Sequence, residues 1–349
     1  MAAISEQMPV RKYRFGIRNQ IITVIMIAMF IPVIIVVGTG LFIGSTSLIR
    51  DVDQELHRFV EGDAVIIREM LRNELNLLQL LTVNDVLRSG LMNHEAEDMA
   101  TIQQKDAEWT LAHSANRDDV TPIRAVLNNP ISAELRAFTE LSPNHLELYL
   151  TDVTGVNVAA TRRTNDYYQA DEFWWQTAWN QGEGQLYLDH RLEFDNASNT
   201  LNMAIAMPVH HPNGQIIGIL RSTYQLNAVQ SLIVASAGED STHLVLVDGE
   251  GRILASPDQE HHQQVMPELP LLMRNPDAAT DGRLDYTVNE RGERAISAYY
   301  PVTTDGEVPA LDALNWHVVI FQTESNAFAL LTEAMTGAMF MVVVIALLL

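Results

Sequence analysis

Two charge-free apolar runs lie near the ends of this chain, and between them the apolar positions recur first at helical and then at strand spacing. Residues Ile21 to Ile43 (IITVIMIAMFIPVIIVVGTGLFI) carry no charge. As a helix they would rise about 35 Å, enough to cross a hydrocarbon core of about 30 Å. A buried core helix would keep a polar face, and a signal peptide would have an apolar run of roughly 7–15 residues. The pattern therefore predicts a transmembrane helix over 21–43, with Pro32 as a tolerated kink. Arg11, Lys12, Arg14 and Arg18 precede it, whereas Arg50, Asp51 and Asp53 follow. The positive-inside rule then puts residues 1–20 in the cytoplasm. Residues 334–349 (AMTGAMFMVVVIALLL) are also charge-free but would rise only about 24 Å. This predicts a second, truncated span starting within 327–349. The expected topology is a two-pass protein of the cell (inner) membrane, with residues 44–326 extracytoplasmic.

From Val52 to Leu91 apolar residues return at helical spacing: Val52, Leu56, Phe59, Val60, Ile67, Met70, Leu71, Leu75 and Leu78. That stripe predicts a long amphipathic stalk helix. It can pack on its own domain, on a twin, or on both, and a homodimer is the expectation. Residues 92–141 predict shorter helices, with Asp118-Asp119 and Ser132 as N-cap candidates. Together, 44–119 form a stalk and helical segment. At Leu146 the period changes to that of strands.

Two segments then repeat about 95 residues apart. HLELYLTDVTGVNVAAT (145–161) and HLVLVDGEGRILAS (243–256) each predict a strand, a turn of type Asp-x-x-Gly and a second strand. Asp152 and Asp248 would cap the turns, and Gly155 and Gly251 would take the positive-φ position. Each hairpin is followed by a variable segment and an apolar strand ending in Pro-Val, AIAMPV (204–209) and AISAYYPV (295–302). A last strand closes each unit, within 213–226 and 315–323. The predicted class is α+β, two similar units with antiparallel sheets.

Composition narrows the function. With 22 Lys+Arg against 44 Asp+Glu the formal charge is -22, and no basic stripe exists for nucleic acid. The absence of cysteine excludes disulfides and thiolate chemistry. His210-His211 and His261-His262 lack acidic or histidine partners at metal-site spacing, and read as exposed loop residues. No nucleophile elbow, zincin motif or phosphate loop is present. No enzyme activity, metal or cofactor is expected. Asn196-Ala-Ser198 matches a glycosylation sequon.

Candidate chemistry concentrates in Tyr167–Asp195 (YYQADEFWWQTAWNQGEGQLYLDHRLEFD). Tyr167, Tyr168, Trp174, Trp175 and Tyr187 accompany the carboxylates Glu172, Asp189 and Asp195. Aromatic walls exclude water and offer π-faces to a cation, while carboxylates take its hydrogen bonds. Trp174 or Trp175, taken singly, reads equally well as a core residue.

The framing spans, the long first helix, the paired Asp-x-x-Gly hairpins and the pattern from Pro208 to Leu220 resemble a double Cache domain. That family is the PAS-like extracytoplasmic sensor module of bacterial transmembrane receptors. The resemblance implies a membrane-distal subdomain at 120–235 that holds the ligand and a membrane-proximal one at 236–326. Amino-acid-binding and amine-binding members carry Tyr, Arg, Trp-Tyr and a downstream Asp. By this resemblance Tyr167, Trp174, Trp175 and Asp195 take those roles, with Glu172 where the Arg would stand. A carboxylate there would repel a carboxylate ligand, so an amine or other cationic ligand is favoured and an amino acid remains open. Glu172 could instead face solvent or pair with Arg162 or Arg163. The implied function is the input domain of a receptor whose output module, such as a histidine kinase, cyclase or chemotaxis module, lies beyond this sequence. The alternatives are an adhesion or protein-interaction ectodomain and a membrane-anchored enzyme.

Overall fold

The computed structural model describes residues 16–195, 200–236, 242–258, 263–273 and 285–329, and part of 332–344. Contacts divide the chain into one unit of Met1–Val52 with Ala327–Leu349 and another of Asp53–Asn326. In the first, helix α1 begins at Ile17 and runs on into the second unit, to Thr82, with Pro32 inside it. The charge-free run 21–43 is thus helical throughout. Among the described residues no helix is long and apolar enough to cross a membrane. The side chains of 33–34, 37 and 41–43, and most of 334–349, lie outside the described residues.

In the second unit the apolar stripe of α1 is consumed by its own domain. Leu56, Val60, Ile67, Leu71, Leu75 and Leu78 are buried, whereas Phe59 is 56% exposed and faces away from this core. The helix predicted to reach Leu91 is interrupted. Asn84 is extended, and its side-chain oxygen accepts from the backbone N–H groups of Val86 (2.8 Å) and Leu87 (3.4 Å). Such a cap starts a new helix, α2 (Asp85–Met92). Helices α3 (Met99–Ser114), α4 (Thr121–Leu127) and α5 (Pro130–Leu141) follow. The predicted caps are displaced. Asn129 caps α5, and Val120 precedes α4 without a side-chain bond. Asp118 pairs with Arg163 and Asp119 with Arg117. Ser132, buried inside α5, donates to the carbonyl of Val126 and accepts from the N–H of Ala160, tying the helices to the sheet.

The first sheet comprises β1 (His145–Asp152), β2 (Asn157–Ala160), β3 (Tyr187–Leu188), β4 (Glu193–Asp195), β5 (Thr200–His210) and β6 (Ile216–Gln225). Helix α6 (Phe173–Trp179) lies between β2 and β3, and α7 (Asn227–Ala235) follows β6. The order is β2-β1-β6-β5-β3, with β4 also on β5. The second sheet contains β7 (Thr242–Val247), β8 (Ile253–Ala255), β9 (Asp285–Val288), β10 (Arg294–Pro301) and β11 (His317–Thr323), in the order β8-β7-β11-β10-β9. All pairings are antiparallel, and the two orders correspond once the short edge strands β3 and β4, which both pair with β5, are taken together as the counterpart of β9.

The repeat extends to single hydrogen bonds. Asp152 Oδ1 accepts from the N–H groups of Thr154 and Val156, and Asp248 Oδ1 from those of Glu250 and Arg252. Gly155 (φ +87°) and Gly251 (φ +77°) take the left-handed position. Their carbonyls accept from Gln169 and Met266, each at 2.8 Å, so each turn anchors the segment that follows its hairpin. A buried polar bridge holds the first sheet to α1. His145 Nδ1 lies 2.7 Å from Ser222 Oγ, and Nε2 lies 3.1 Å from Glu74 Oε2.

Candidate ligand-binding site

One face of the first sheet packs on α2 and α5; the other carries the candidate site. Register places Tyr187, Ala206, Arg221, Tyr149 and Ala160 side by side across β3, β5, β6, β1 and β2. Partners in an antiparallel ladder point to the same face, so this is a single transverse row. The next row on that face holds Ala204, Thr223 and Glu147, with the backbone N–H of Asp189 donating to Ala204. The row beyond holds Glu193, Asn202 and Gln225.

Helix α6 lies over the Tyr149–Arg221 pair. The Trp174 ring meets Tyr149 edge-on at 5.7 Å. The Arg221 guanidinium sits 5.2 Å from the centre of the Tyr149 ring and 5.4 Å from that of Trp174. Its Nη1 donates to Thr223 Oγ1 at 3.2 Å, but its buried Nε has no partner. Tyr187 OH and Asn202 Oδ1, on strands of the same face, are also buried and unpaired. Buried polar atoms are nearly always paired in folded proteins. This face thus leaves one donor, one acceptor and one hydroxyl unpaired.

Acidic groups gather near the Tyr149 ring beside this cation. Burial raises the Glu147 carboxyl, an effect opposed by Arg162 and Arg221. Asp166 is pushed up to about 6, first by burial and then by the neighbouring charges of Asp106, Glu172 and Asp171. A raised acid binds more protons folded than unfolded, so its burden on stability appears as pH rises from 3.8 towards 6. Asp166→Asn is therefore expected to stabilise the protein at pH 7. The gain should vanish below about pH 4, read as denaturant midpoints across pH. A pH-independent difference would mean that the charge of Asp166 carries no penalty.

The residues singled out from the sequence divide into groups. Trp174 and Trp175 are 7% and 5% exposed, and both belong to the core cluster, as do Tyr167 and Tyr187. Trp174 roofs the Arg221 row. Trp175 points its Nε1–H at Thr151 Oγ1 (2.8 Å) and stacks on Trp179. Tyr167 packs on Trp109 and donates its hydroxyl to Glu97, and half-buried Tyr168 pairs with Val156. Glu172 is exposed at the start of α6, close enough to Asp166 and Tyr149 to raise both. Arg162 and Arg163, its candidate partners, pair instead with Glu147 and Asp118. Tyr187 is raised to about 12 by burial and then by Asp189, although Asp189 is not in hydrogen-bonding geometry with it. Asp189 holds Arg191, whose guanidinium lies over Phe173. Asp195, on β4, pairs with Thr200 of β5, on the Ala206 face but six residues along that strand, about 20 Å at strand rise.

Arg221, Tyr149, Glu147 and Asp166 were not singled out from sequence. An arginine inside the apolar strand segment GILRS is the signal that could have drawn notice. His210 closes β5, and His211 Nδ1 accepts from the N–H of Asn213. His261-His262 and the sequon at 196–198 lie outside the described residues. Among the described residues no cluster could hold a metal ion.

Comparison with known proteins settles the family. The Cache domain family matches residues 45–331. This chain belongs to that family, as a double Cache domain. Relatives of this Cache domain include the methyl-accepting chemotaxis proteins PscA of Pseudomonas syringae pv. tomato and PctB of Pseudomonas aeruginosa. PscA is 27% identical over 206 residues, covering 58% of this chain and 30% of PscA. PctB is 26% identical over 216 residues, covering 62% of this chain and 31% of PctB. The chain thus spans under a third of those relatives. Among solved structures it resembles the ligand-binding domain of the Campylobacter jejuni chemoreceptor Tlp3. The TM-score is 0.52 at 14% identity, covering 80% of this chain and 94% of that one. The Cache domain is a sensor domain, not an enzyme.

Proposed function

We propose that this Cache domain is the input module of a chemoreceptor-type transmembrane protein. It would bind a small ammonium-bearing ligand under α6 in the membrane-distal unit, residues 120–235. The carrying observation is Arg221, held between Tyr149 and Trp174 with its buried Nε unpaired. Glu172 occupies the place expected for an arginine, which alone would favour amines. Arg221 provides a cation from the sheet side, while Glu147, Asp166 and Glu172 provide negative charge. Opposite charges on the two sides suit an amino-acid-like zwitterion, its carboxylate on Arg221 and its ammonium toward the acids and ring faces. Simple amines come second. Tlp3 was solved with L-norvaline, which supports the amino-acid class. Tyr187 and Asp189 flank this site; Asp195 lies further along the sheet and would border it only at one end.

The signalling part rests on α1. Ile21, Ile22, Val24, Ile25, Ile35 and Val36 are exposed along it, as water would not favour but lipid would. Residues 21–43 are accordingly proposed as a membrane span, 327–349 as contributing to a second, and the proximal unit 236–326 as the link between them. Phe59, Ile66, Leu77 and Leu80 form a second exposed apolar line on α1, a surface suited to a homodimer. Ligand binding shifts such a receptor only by its differential affinity for two states.

The test is a thermal-shift screen of residues 46–326 against amino acids, amines, dicarboxylates and sugars. A ligand at about 100 times its Kd adds about 2.7 kcal/mol. Stabilisation by amino acids, with weaker effects of amines, is expected. Silence across the panel would favour a protein-interaction role in which Trp174 and Trp175 simply fill the core.

A further inference from the structure

We propose that helix α3 backs the Arg221 site, with Asp106 as the positioning residue that pins loop 163–169 and so sets the acid side of that site. This role rests on the ligand site proposed above, and Asp106 itself would touch no ligand. Loop 163–169 has two supports. One is the end of the first hairpin. There the N–H of Asn157 donates to the carbonyl of Tyr167 (3.0 Å), that of Gln169 donates to the carbonyl of Gly155 (2.8 Å), and Tyr168 bridges to Val156. The other support is α3, at positions 106, 109 and 113, which share one helical face. His113 Nδ1 accepts from Arg163 Nε (3.3 Å), and Trp109 Nε1 donates to the carbonyl of Thr164 (2.9 Å). Asp106 Oδ1 accepts from the N–H groups of both Tyr167 (2.9 Å) and Tyr168 (3.1 Å).

Two successive backbone N–H groups that converge on one oxygen form a concavity suited to an anion. Asp106 supplies that anion from a separate helix and fixes the bend of the chain at Tyr167. The bend decides where Asp166 goes. The carbonyl of Asp166 accepts from Asn157 Nδ2 (3.0 Å) and Thr164 Oγ1 (2.6 Å), and the next two N–H groups are held by Asp106. With its backbone fixed on both sides, the Asp166 carboxylate stays close enough to act on Tyr149 of β1 and to feel Glu172 ahead of α6.

Asp106 also acts by its charge. Burial is the first cause that pushes Asp166 up to about 6, and the charge of Asp106 is the next, ahead of Glu172 and Asp171. Those three carboxylates and, from the sheet, Tyr149 are the titratable groups beside it. A protonated Asp166 attracts an ammonium less than an ionised one does. Ligand binding should therefore weaken as pH falls through about 6. Without the charge of Asp106, that weakening should come at lower pH.

Two variants separate placement from charge. Asp106→Ala removes both, whereas Asp106→Asn keeps an oxygen able to accept the two N–H groups and removes only the charge. Hydrogen exchange of the full chain in detergent micelles, without ligand, reads the loop. Exchange at Tyr167, Tyr168 and through α6 should quicken about tenfold or more in the alanine chain and return to near wild-type rates in the asparagine chain. Strands β7 to β11 should be unchanged in both. Titration with L-norvaline from pH 5 to pH 8 reads the site. At pH 8 the alanine chain should bind about tenfold more weakly, because its loop is no longer preorganised. The asparagine chain should recover most of that affinity and lose binding at lower pH than wild type does, a shift that a purely structural contact would not produce. Equal loop exchange in the alanine and wild-type chains overturns the anchor, and a wild-type pH profile in the asparagine chain overturns the charge effect. Should the alanine chain not fold, the asparagine profile still decides. A wild-type chain that binds no L-norvaline counts against the Arg221 site, while the exchange rates still decide the anchor.

Discussion

Arg221→Met is expected to lower ligand affinity by about 100-fold or more while leaving the fold's stability within about 1 kcal/mol of the parent. Truncating one partner of a buried charge pair costs binding about 2–5 kcal/mol. The unliganded protein has little to lose. Arg221 makes a single side-chain hydrogen bond, to Thr223, and keeps its Nε unpaired between two rings. A methionine of similar reach retains contact with the Tyr149 and Trp174 faces through its polarizable sulfur. It also removes a buried donor that no group satisfies. One small penalty runs the other way, because Arg221 helps hold down the raised carboxyl of Glu147. Calorimetric titration with the best ligand of the screen and urea unfolding of the unliganded variant measure the two effects separately. Normal affinity would remove Arg221 from the site. A loss of several kcal/mol in stability would make it a structural cation instead.

Gly155→Ala should be strongly destabilising for a single added methyl, costing about 3 kcal/mol. Two mechanisms add. At φ +87° an L-residue bears left-handed strain of roughly 1–2 kcal/mol. The new Cβ would also stand 2.5 Å from the Cβ of Ala170 and 2.7 Å from its backbone nitrogen, which cannot turn aside as a side chain can. Overpacking of this kind costs about 1–3 kcal/mol. Gly214 is the control, with a similar φ of +93° and nothing within 4 Å of its Cβ position. Gly214→Ala should cost about 1 kcal/mol, so the difference between the two midpoints measures the close approach alone. Equal midpoints would mean that the segment over Gly155 yields freely. Because the Gly155 carbonyl holds Gln169, the variant should also weaken ligand binding by loosening the loop that carries Asp166.

The duplicated hairpins were legible because their chemistry is local. An aspartate that caps a turn and a glycine at positive φ declare themselves within four residues, and Asp152–Gly155 and Asp248–Gly251 behave alike. The buried stripe of α1 was legible for the same reason, since a period of 3.6 needs no knowledge of the partner surface. Phe59 and the break at Asn84 were not, because both depend on what the helix meets. The sequence likewise marked the Trp174-Trp175 helix as aromatic but could not say which ring roofs the sheet and which is spent on Thr151 and Trp179.

The site's cation belongs wholly to the tertiary structure. Strand periodicity makes Arg221 and Ser222 point to opposite faces, but only the pairing of β6 with β1 and β5 decides which one meets α6. A slip of one residue would exchange them, leaving Arg221 against the helices behind the sheet and Ser222 beneath Trp174. Asp195 shows the converse. Its spacing from Trp174 suited a shared pocket, yet the chain leaves β5 after Asp189 and rejoins it at Glu193, which carries Asp195 down the strand. The hairpins, their duplication and the family could be read from the sequence, because they rest on contacts between near neighbours. Which charges share one row of the sheet was decided only by long-range strand register, because side chains far apart in the chain meet only when the ladder brings them together.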